Sequence, residues 1–295
     1  MDLEVKLNAE SVPLHRRTLR NDAPSGLNST DSAGFDSVQI VFLHGFSQTG
    51  GCMGPVAELL GSRSGYSEGA IATRGSELHL AVNIVSLDLP GHGQSAGVQC
   101  GDLWSAADLV ASSMDPAILI GYSMGARVAL HVALRYPQSV KALVLIGATA
   151  GIEDPHDRES RLNSDQLLAS RLETIGVEQF AEEWLQQDLF KHLPDWARFL
   201  EERRQNQVAG LGSSLRQCGT GAMDPLWSRL HEIDCPVLVL AGELDHKFRD
   251  LGIRIAQEVG DNATFEVIAG AGHSTHLEQP SATSSAITEF IDNVT

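Results

Sequence analysis

One serine of this sequence, which follows an apolar run, is well placed to act as a nucleophile or a base. Ser123 is the centre of the pentapeptide GYSMG, residues 121–125, between a predicted strand and a predicted helix. Glycines on both sides allow a tight strand-to-helix turn that holds the hydroxyl above the sheet edge. A serine hydroxyl is a weak nucleophile or base until a neighbouring group takes its proton. The pattern therefore predicts an acid–base partner elsewhere in the chain.

Asp245 and His273 are the predicted partners of Ser123. Asp245 follows the apolar run CPVLVLAG, and His273 follows the next apolar run along the chain. Loops after adjacent parallel strands lie at one sheet edge, so both side chains can converge on the serine. Asp245 would orient the imidazole, and His273 would accept the serine proton. Glu243, nearer the strand end, is a weaker candidate for the acid, and His276 is interpreted as a loop residue.

Two backbone N–H groups are candidates for stabilising a developing negative charge. The stretch FLHGFSQTG, residues 42–50, follows the first core strand, and the N–H of Phe46 could join that of Met124 as a donor pair. DLPGHGQS, residues 88–95, is interpreted as a tight structural turn. His44 and His92, within these two stretches, are interpreted as structural residues.

The elements that position these residues are predicted from six short apolar runs that alternate with helical patterns. The runs are near-continuous rather than alternating, which is typical of a sheet covered on both faces. They span Val38–Gly45, Leu80–Asp88, Pro116–Gly121, Val140–Gly147, Cys235–Gly242 and Ala263–Gly270. We therefore predict an α/β fold with a mainly parallel central sheet and flanking helices.

The alternation of strand and helix patterns stops in residues 151–234, which contain helical stretches and no convincing strand. We predict an α/β core of residues 1–150 and 235–295, with residues 151–234 as a helical cap, or lid, over one end of the sheet. Residues 1–37 are polar and turn-rich, with an expected edge hairpin. Residues 61–77 are expected to be a long, mobile surface loop.

Composition narrows the classes of function. The 295 residues carry a formal net charge of −17, which argues against nucleic acid as a partner. No apolar run approaches the roughly 20 residues that span a bilayer, and the N-terminal stretch lacks the apolar region of a secretory signal. The four cysteines form no CxxC pair, so we expect reduced thiols and a cytoplasmic protein. No motif calls for a metal or an organic cofactor, and the oligomeric state stays open.

From about Val38 to the C-terminus, the motifs around Ser123, Asp245 and His273 resemble those of the α/β-hydrolase superfamily. The resemblance implies the α/β-hydrolase fold but does not choose the reaction, because the fold hosts hydrolases, lyases and catalytically inactive receptors.

A narrower resemblance rests on GYSMGAR, DRESR, FAEEWLQQDLF, the segment around residues 204–206, GELDHKF and AGHSTHLEQP. Together they are similar to the 2-succinyl-6-hydroxy-2,4-cyclohexadiene-1-carboxylate synthases of menaquinone biosynthesis. That family eliminates pyruvate from an enolpyruvyl cyclohexene carboxylate, with the serine as general base. The resemblance implies a small polycarboxylate substrate, bound by Arg127 and Arg161, with Arg204 as a further candidate.

The same resemblance implies that Tyr122 and Trp184 line the substrate pocket. Trp184 is equally compatible with a core aromatic in an amphipathic lid helix. Two alternatives to the lyase stay open. One is a serine hydrolase acting on esters or carbon–carbon bonds of small acidic substrates, and the other is a non-catalytic ligand-binding protein with an idle triad.

Overall fold

A single seven-stranded sheet organises the described part of the chain, which is residues 13–21, 37–62 and 81–294 of the computed structural model. The strands are β1 (Arg16–Asn21), β2 (Ser37–Leu43), β3 (Ala81–Leu87), β4 (Ala117–Tyr122), β5 (Val140–Ile146), β6 (Val237–Gly242) and β7 (Ala263–Ile268). Their spatial order is β1-β3-β2-β4-β5-β6-β7. Among the described strands, only β1 is antiparallel to its neighbour. The six apolar runs are the six parallel strands, which confirms the predicted α/β class.

Helices connect the parallel strands and cover both faces of the sheet. They are α1 (Gly54–Ser62), α2 (Leu103–Ser112), α3 (Met124–Arg135), α4 (Pro155–Trp184), α5 (Leu200–Arg204), α6 (Val208–Cys218), α7 (His246–Val259), α8 (Thr275–Glu278) and α9 (Pro280–Val294). None of the helices in the described ranges is long and apolar enough to cross a membrane.

Strand β4, which leads to Ser123, shows why the apolar runs are continuous. Leu119 packs on one face into a core shared with α2, α3 and α7, whereas Ile118 and Ile120 pack on the other face with α1 and α9. Successive strand side chains point to opposite faces, so both sets must be apolar. Full burial of such a side chain contributes about 1.5–3 kcal/mol. The strand that carries the reactive serine is therefore firmly held.

Helices α4, α5 and α6 lie between β5 and β6 in the chain, and the described residues 151–234 include no strand. α4 is interrupted at Gly176, whose φ of 77° lies outside the helical range. Residues 194–212, which have a helical pattern in the sequence, do not form one continuous helix. Phe199 has a left-handed φ of 49°, and the Asn206 side chain binds backbone carbonyls outside a helix. The division into core and cap stays a prediction.

The two segments predicted to be irregular fall mainly outside the described residues. Of residues 1–37, the structure describes 13–21 and 37. Residues 16–21 form β1, which pairs with β3, and the rest of the predicted edge hairpin lies outside the described residues. Of the predicted loop 61–77, only residues 61 and 62 are described, and they end α1.

Candidate active site

The turn at Ser123 has the strained geometry that its glycine neighbours predict. Ser123 has a left-handed φ of 51° with ψ −105°, and its N–H donates to the Ile146 carbonyl at 2.9 Å. A Cβ on Gly121 would lie 2.5 Å from the Gly125 carbonyl oxygen, and one on Gly125 would overlap the Leu43 carbonyl. The two glycines are therefore required by the close approach of α3 to β4 and β2.

Ser123, His273 and Asp245 form one hydrogen-bonded chain. The Nε2 of His273 lies 3.1 Å from the Ser123 Oγ, and the Nδ1 lies 2.8 Å from the Asp245 Oδ2. The other Asp245 oxygen accepts the Phe248 N–H at 3.3 Å, which fixes the carboxylate at the start of α7. A Cβ on Gly147 would lie 2.8 Å from the imidazole Cε1, so a glycine there leaves room for the ring.

The two weaker acid–base candidates are used elsewhere. Glu243 accepts the Gly270 N–H at 2.9 Å, away from the imidazole. His276 lies in helix α8 rather than in a loop, and it is fully buried with its ring 4.3 Å from that of Tyr122. With its Nδ1–H donated to Asp245, His273 presents an Nε2 lone pair that can take the Ser123 proton.

Two backbone N–H groups at the cavity are candidate donors to an oxyanion. Phe46 and Met124 both line the cavity that contains Ser123. Neither backbone N–H has a hydrogen-bond partner among the residues that the structure describes. The His44 ring has no free donor for an oxyanion, because its Nδ1 donates to the Gly45 carbonyl and its Nε2 accepts the Leu89 N–H. The two free N–H groups can therefore bind a negatively charged oxygen.

A cavity of about 160 Å³ opens over Ser123 between the sheet edge and helices α4 and α6. Phe46 and Trp184 form an aromatic wall, with ring centroids 4.9 Å apart. The Trp184 indole N–H is buried and has no partner in the described part of the chain. The cavity therefore combines an apolar wall with an available donor, the indole N–H of Trp184.

Arginines 127 and 161 bring positive charge into the same cavity. Arg127 is only 7% exposed, and its Nη1 donates to the Cys218 carbonyl. Burial lowers the pKa of Arg127 to about 10, so it is a cation at neutral pH. Arg161 lies 2.8 Å from the buried Asp165 carboxylate through its Nε. Two guanidinium groups and one carboxylate leave this end of the cavity net positive.

Two residues expected to face the substrate lie elsewhere. Arg204 is not among the cavity-lining residues, and its guanidinium pairs with Glu178 at 2.8 Å and with Glu201. Tyr122 is buried behind the imidazole, with its hydroxyl hydrogen-bonded to the Ser274 hydroxyl at 2.6 Å. The structure therefore places Tyr122 and Arg204 outside the lining of this cavity.

Among the described arginines of residues 151–234, Arg203 is the buried one, and the sequence pattern does not distinguish it from its neighbour. Its side chain is 1% exposed, donates to the Arg198 carbonyl at 2.8 Å and to the Ser47 hydroxyl, and has no carboxylate partner in the described ranges. Asn206 donates to the Ser47 carbonyl at 2.9 Å. Ser47 follows Phe46, so the side chains of Arg203 and Asn206 hold the loop that carries one candidate oxyanion donor.

Replacement of Arg203 by methionine is expected to lower the free energy of unfolding by about 2–4 kcal/mol, because a buried hydroxyl and a buried carbonyl lose their donor. The matched change Arg204→Met removes an exposed cation and should cost less than about 0.5 kcal/mol. Urea denaturation of the two variants measures the difference. Equal stability of both variants would contradict the burial of Arg203.

Acid lability is expected from four buried histidines. Burial lowers the pKa of His92 and of His276 from 6.5 to about 3, that of His131 to about 4, and that of His44 as well. The unfolded chain therefore binds protons first as pH falls. Stability is full above about pH 6.5 and falls toward pH 4, by up to about 1.4 kcal/mol per pH unit for each histidine.

Urea midpoints measured from pH 7.5 to pH 4.5 check this expectation. The variant His276→Gln should show a shallower loss of stability with pH than the wild type, because one titrating group is removed. A stability profile that is flat between pH 7 and pH 5 would argue against neutral, buried imidazoles.

One group of side chains in the described ranges has metal-ligand spacing. Asp154, His156 and Asp157 are exposed at the start of α4, with potential ligand atoms within 4.8 Å of one another. The Asp154 carboxylate already accepts the N–H groups of the other two residues as the helix cap. The group therefore has a structural role at the helix terminus.

Comparison with known proteins bears on this site. Residues 40–286 match the family model described as the Alpha/beta hydrolase family. A Salmonella arizonae protein named 2-succinyl-6-hydroxy-2,4-cyclohexadiene-1-carboxylate synthase is 31% identical over 261 residues, covering 85% of this chain and 93% of that protein. A Bacillus subtilis (strain 168) protein, provisionally given the same enzyme name, is 34% identical over 72% of this chain and 81% of its own length. The structure of MenH from S. aureus superimposes with a TM-score of 0.75 at 27% identity, covering 89% of this chain and 96% of that one.

Proposed function

We propose a lyase activity for this chain, which belongs to the alpha/beta hydrolase family and, within it, to the 2-succinyl-6-hydroxy-2,4-cyclohexadiene-1-carboxylate synthases. The protein eliminates pyruvate from an enolpyruvyl cyclohexene carboxylate. The observation that carries the proposal is that Arg127 and Arg161 line the cavity of Ser123 and His273, in a chain whose formal net charge is −17. A cavity built for neutral esters has no need of these cations.

Proton abstraction is the first step. As His273 takes the proton of the Ser123 hydroxyl, the serine oxygen removes a proton from the ring carbon that bears the succinyl group. Asp245 holds the imidazole and stabilises its cationic form. The hydrogen bonds of 3.1 Å and 2.8 Å between the three side chains support this transfer. No bond between serine and substrate is required.

Elimination follows from the charge that the first step creates. The electron pair left on the ring carbon is shared with the succinyl carbonyl oxygen, which the N–H groups of Phe46 and Met124 stabilise. The pair then moves through the ring as the carbon–oxygen bond to the enolpyruvyl group breaks. The departing oxygen takes the electron pair of that bond and a proton from the His273 imidazolium. The released enolpyruvate becomes pyruvate.

Binding of the substrate is assigned to the cations and the aromatic wall. Arg127 and Arg161 pair with carboxylates, since a guanidinium can bind a carboxylate through two parallel hydrogen bonds. Trp184 contacts the ring. The proposal includes a small polycarboxylate as the partner and the cytoplasm as the site of action, where menaquinone-pathway chemistry would supply the substrate.

Release of pyruvate from the enolpyruvyl substrate tests the proposal. A coupled lactate dehydrogenase assay should show one pyruvate for each cyclohexadiene formed, and no release above the enzyme-free rate would refute the lyase. The serine hydrolase alternative predicts instead the turnover of short activated esters and an acyl group trapped on Ser123. Mass spectrometry of the intact protein after exposure to such an ester distinguishes the two reactions.

A further inference from the structure

A third cation lines the active-site cavity, and it lies on helix α7 rather than on the helices that carry the two arginines. Lys247 is exposed and lines the cavity two residues after Asp245. Its ammonium lies 5.7 Å from the centroid of the Phe248 ring, and that ring lies 4.3 Å from the His273 ring. The Lys247 ammonium is thus held at the rim of the cavity, near the catalytic imidazole.

Lys247 occupies a position that is unfavourable for a cation. It is the second residue of α7, where the partial positive charge of the helix terminus repels an ammonium group. No carboxylate lies within ion-pair distance of Lys247 in the described part of the chain. By contrast, Arg161 pairs with Asp165, and Arg127 donates to the Cys218 carbonyl.

The proposed substrate carries three carboxylates. If each arginine pairs with one of them, one carboxylate is left without a cationic partner. The product has a carboxylate on the ring and one on the succinyl chain, and pyruvate carries the third. Arg127, at 7% exposure, lies at the deep end of the cavity, whereas Lys247 lies at its solvent end. The cations that line the cavity therefore differ in their access to solvent.

We propose that Lys247 is a substrate-binding residue that pairs with the substrate carboxylate nearest the mouth of the cavity. This inference rests on the proposed lyase function. An ammonium on a flexible stem presents three donors from many directions, so it can meet a carboxylate that approaches from solvent. The helix terminus then favours the bound anion as much as it disfavours the free cation.

Steady-state kinetics of Lys247→Gln with the enolpyruvyl substrate test the inference. We expect KM to rise by about five- to tenfold with kcat within about twofold of wild type, because the lost contact is a charge-assisted hydrogen bond at a partly exposed site. The KM of the variant should also depend less on salt. Lys247→Arg, which keeps the charge, should restore KM to within about twofold of wild type.

A matched control separates a direct contact from the general field of a cation. Arg249 lies in the same turn of α7, does not line the cavity, and donates to the Glu243 carbonyl. Arg249→Gln removes the same charge and should leave KM nearly unchanged. If KM rises in Arg249→Gln as much as in Lys247→Gln, the inference is overturned. An unchanged KM in Lys247→Gln would overturn it as well. Failure of the wild type to release pyruvate would refute the lyase function itself.

Discussion

Replacement of Ser123 by alanine is expected to lower kcat for pyruvate release by about 10³-fold, with little change in substrate affinity. The hydroxyl is the group that takes the ring proton, and a positioned general base contributes about 10²–10⁴-fold. Serine and alanine both carry a Cβ, so the substitution leaves the backbone strain at the φ of 51° unchanged and the turn should be kept. The folded state and the cationic cavity should therefore persist.

Single-turnover pyruvate release and isothermal titration of the substrate measure the two effects separately. The double variant Ser123→Ala, His273→Ala should be no slower than either single variant, because residues that act as one unit are not additive. A Ser123→Ala enzyme that retains more than about a tenth of the wild-type rate would contradict the role of serine as base. Full substrate binding without turnover in the wild type would instead favour the ligand-binding alternative.

The second large effect is expected for Arg127→Met, which should lower kcat/KM for the polycarboxylate substrate by about 10²–10³-fold. Loss of one member of a buried, hydrogen-bonded charge pair costs about 2–5 kcal/mol. The carboxylate that Arg127 binds would then lie at the deep end of the cavity beside Asp165, without its counter-charge. Methionine roughly keeps the length of the stem, so the cavity wall is preserved.

Two controls make this prediction specific. Arg161→Met should cost less than Arg127→Met, because the Arg161 side chain is 39% exposed and its charge is better screened by water. Turnover of a neutral activated ester, if the triad supports it, should be nearly unchanged in both variants. An equal loss with the neutral ester would indicate a collapsed site rather than a lost charge pair. The Cys218 carbonyl loses its donor in Arg127→Met, so thermal unfolding must be measured alongside.

The sequence by itself determined the elements and the reactive residues that follow them. Six apolar runs became six parallel strands, and the strained turn at Ser123 was encoded by the two glycines around it. Asp245 and His273 could be assigned because each follows a strand of that sheet. These features depend on neighbours only a few residues away, or on the general rule that parallel strands end at one edge.

Only the tertiary structure decided which side chains enter the cavity. Arg203 and Arg204 are adjacent, yet one is buried against Ser47 and the other pairs with surface carboxylates. Tyr122, next to the serine, points behind the imidazole, whereas Lys247 reaches the cavity wall.

Contacts between segments that are distant in the chain were also not predictable from the sequence. The thiols of Cys100 and Cys218 lie 3.1 Å apart across 118 residues of chain, although no sequence spacing pairs them. Asn206 and Arg203 hold a loop more than 150 residues earlier in the chain. Such contacts depend on how helices from the 151–234 segment pack against the sheet edge, and a rotation of one residue on a helix, about 100°, reverses which side chain faces the cavity. Local pattern carries no record of that rotation, so only the structure separates Arg203 from Arg204 and places Lys247 at the cavity.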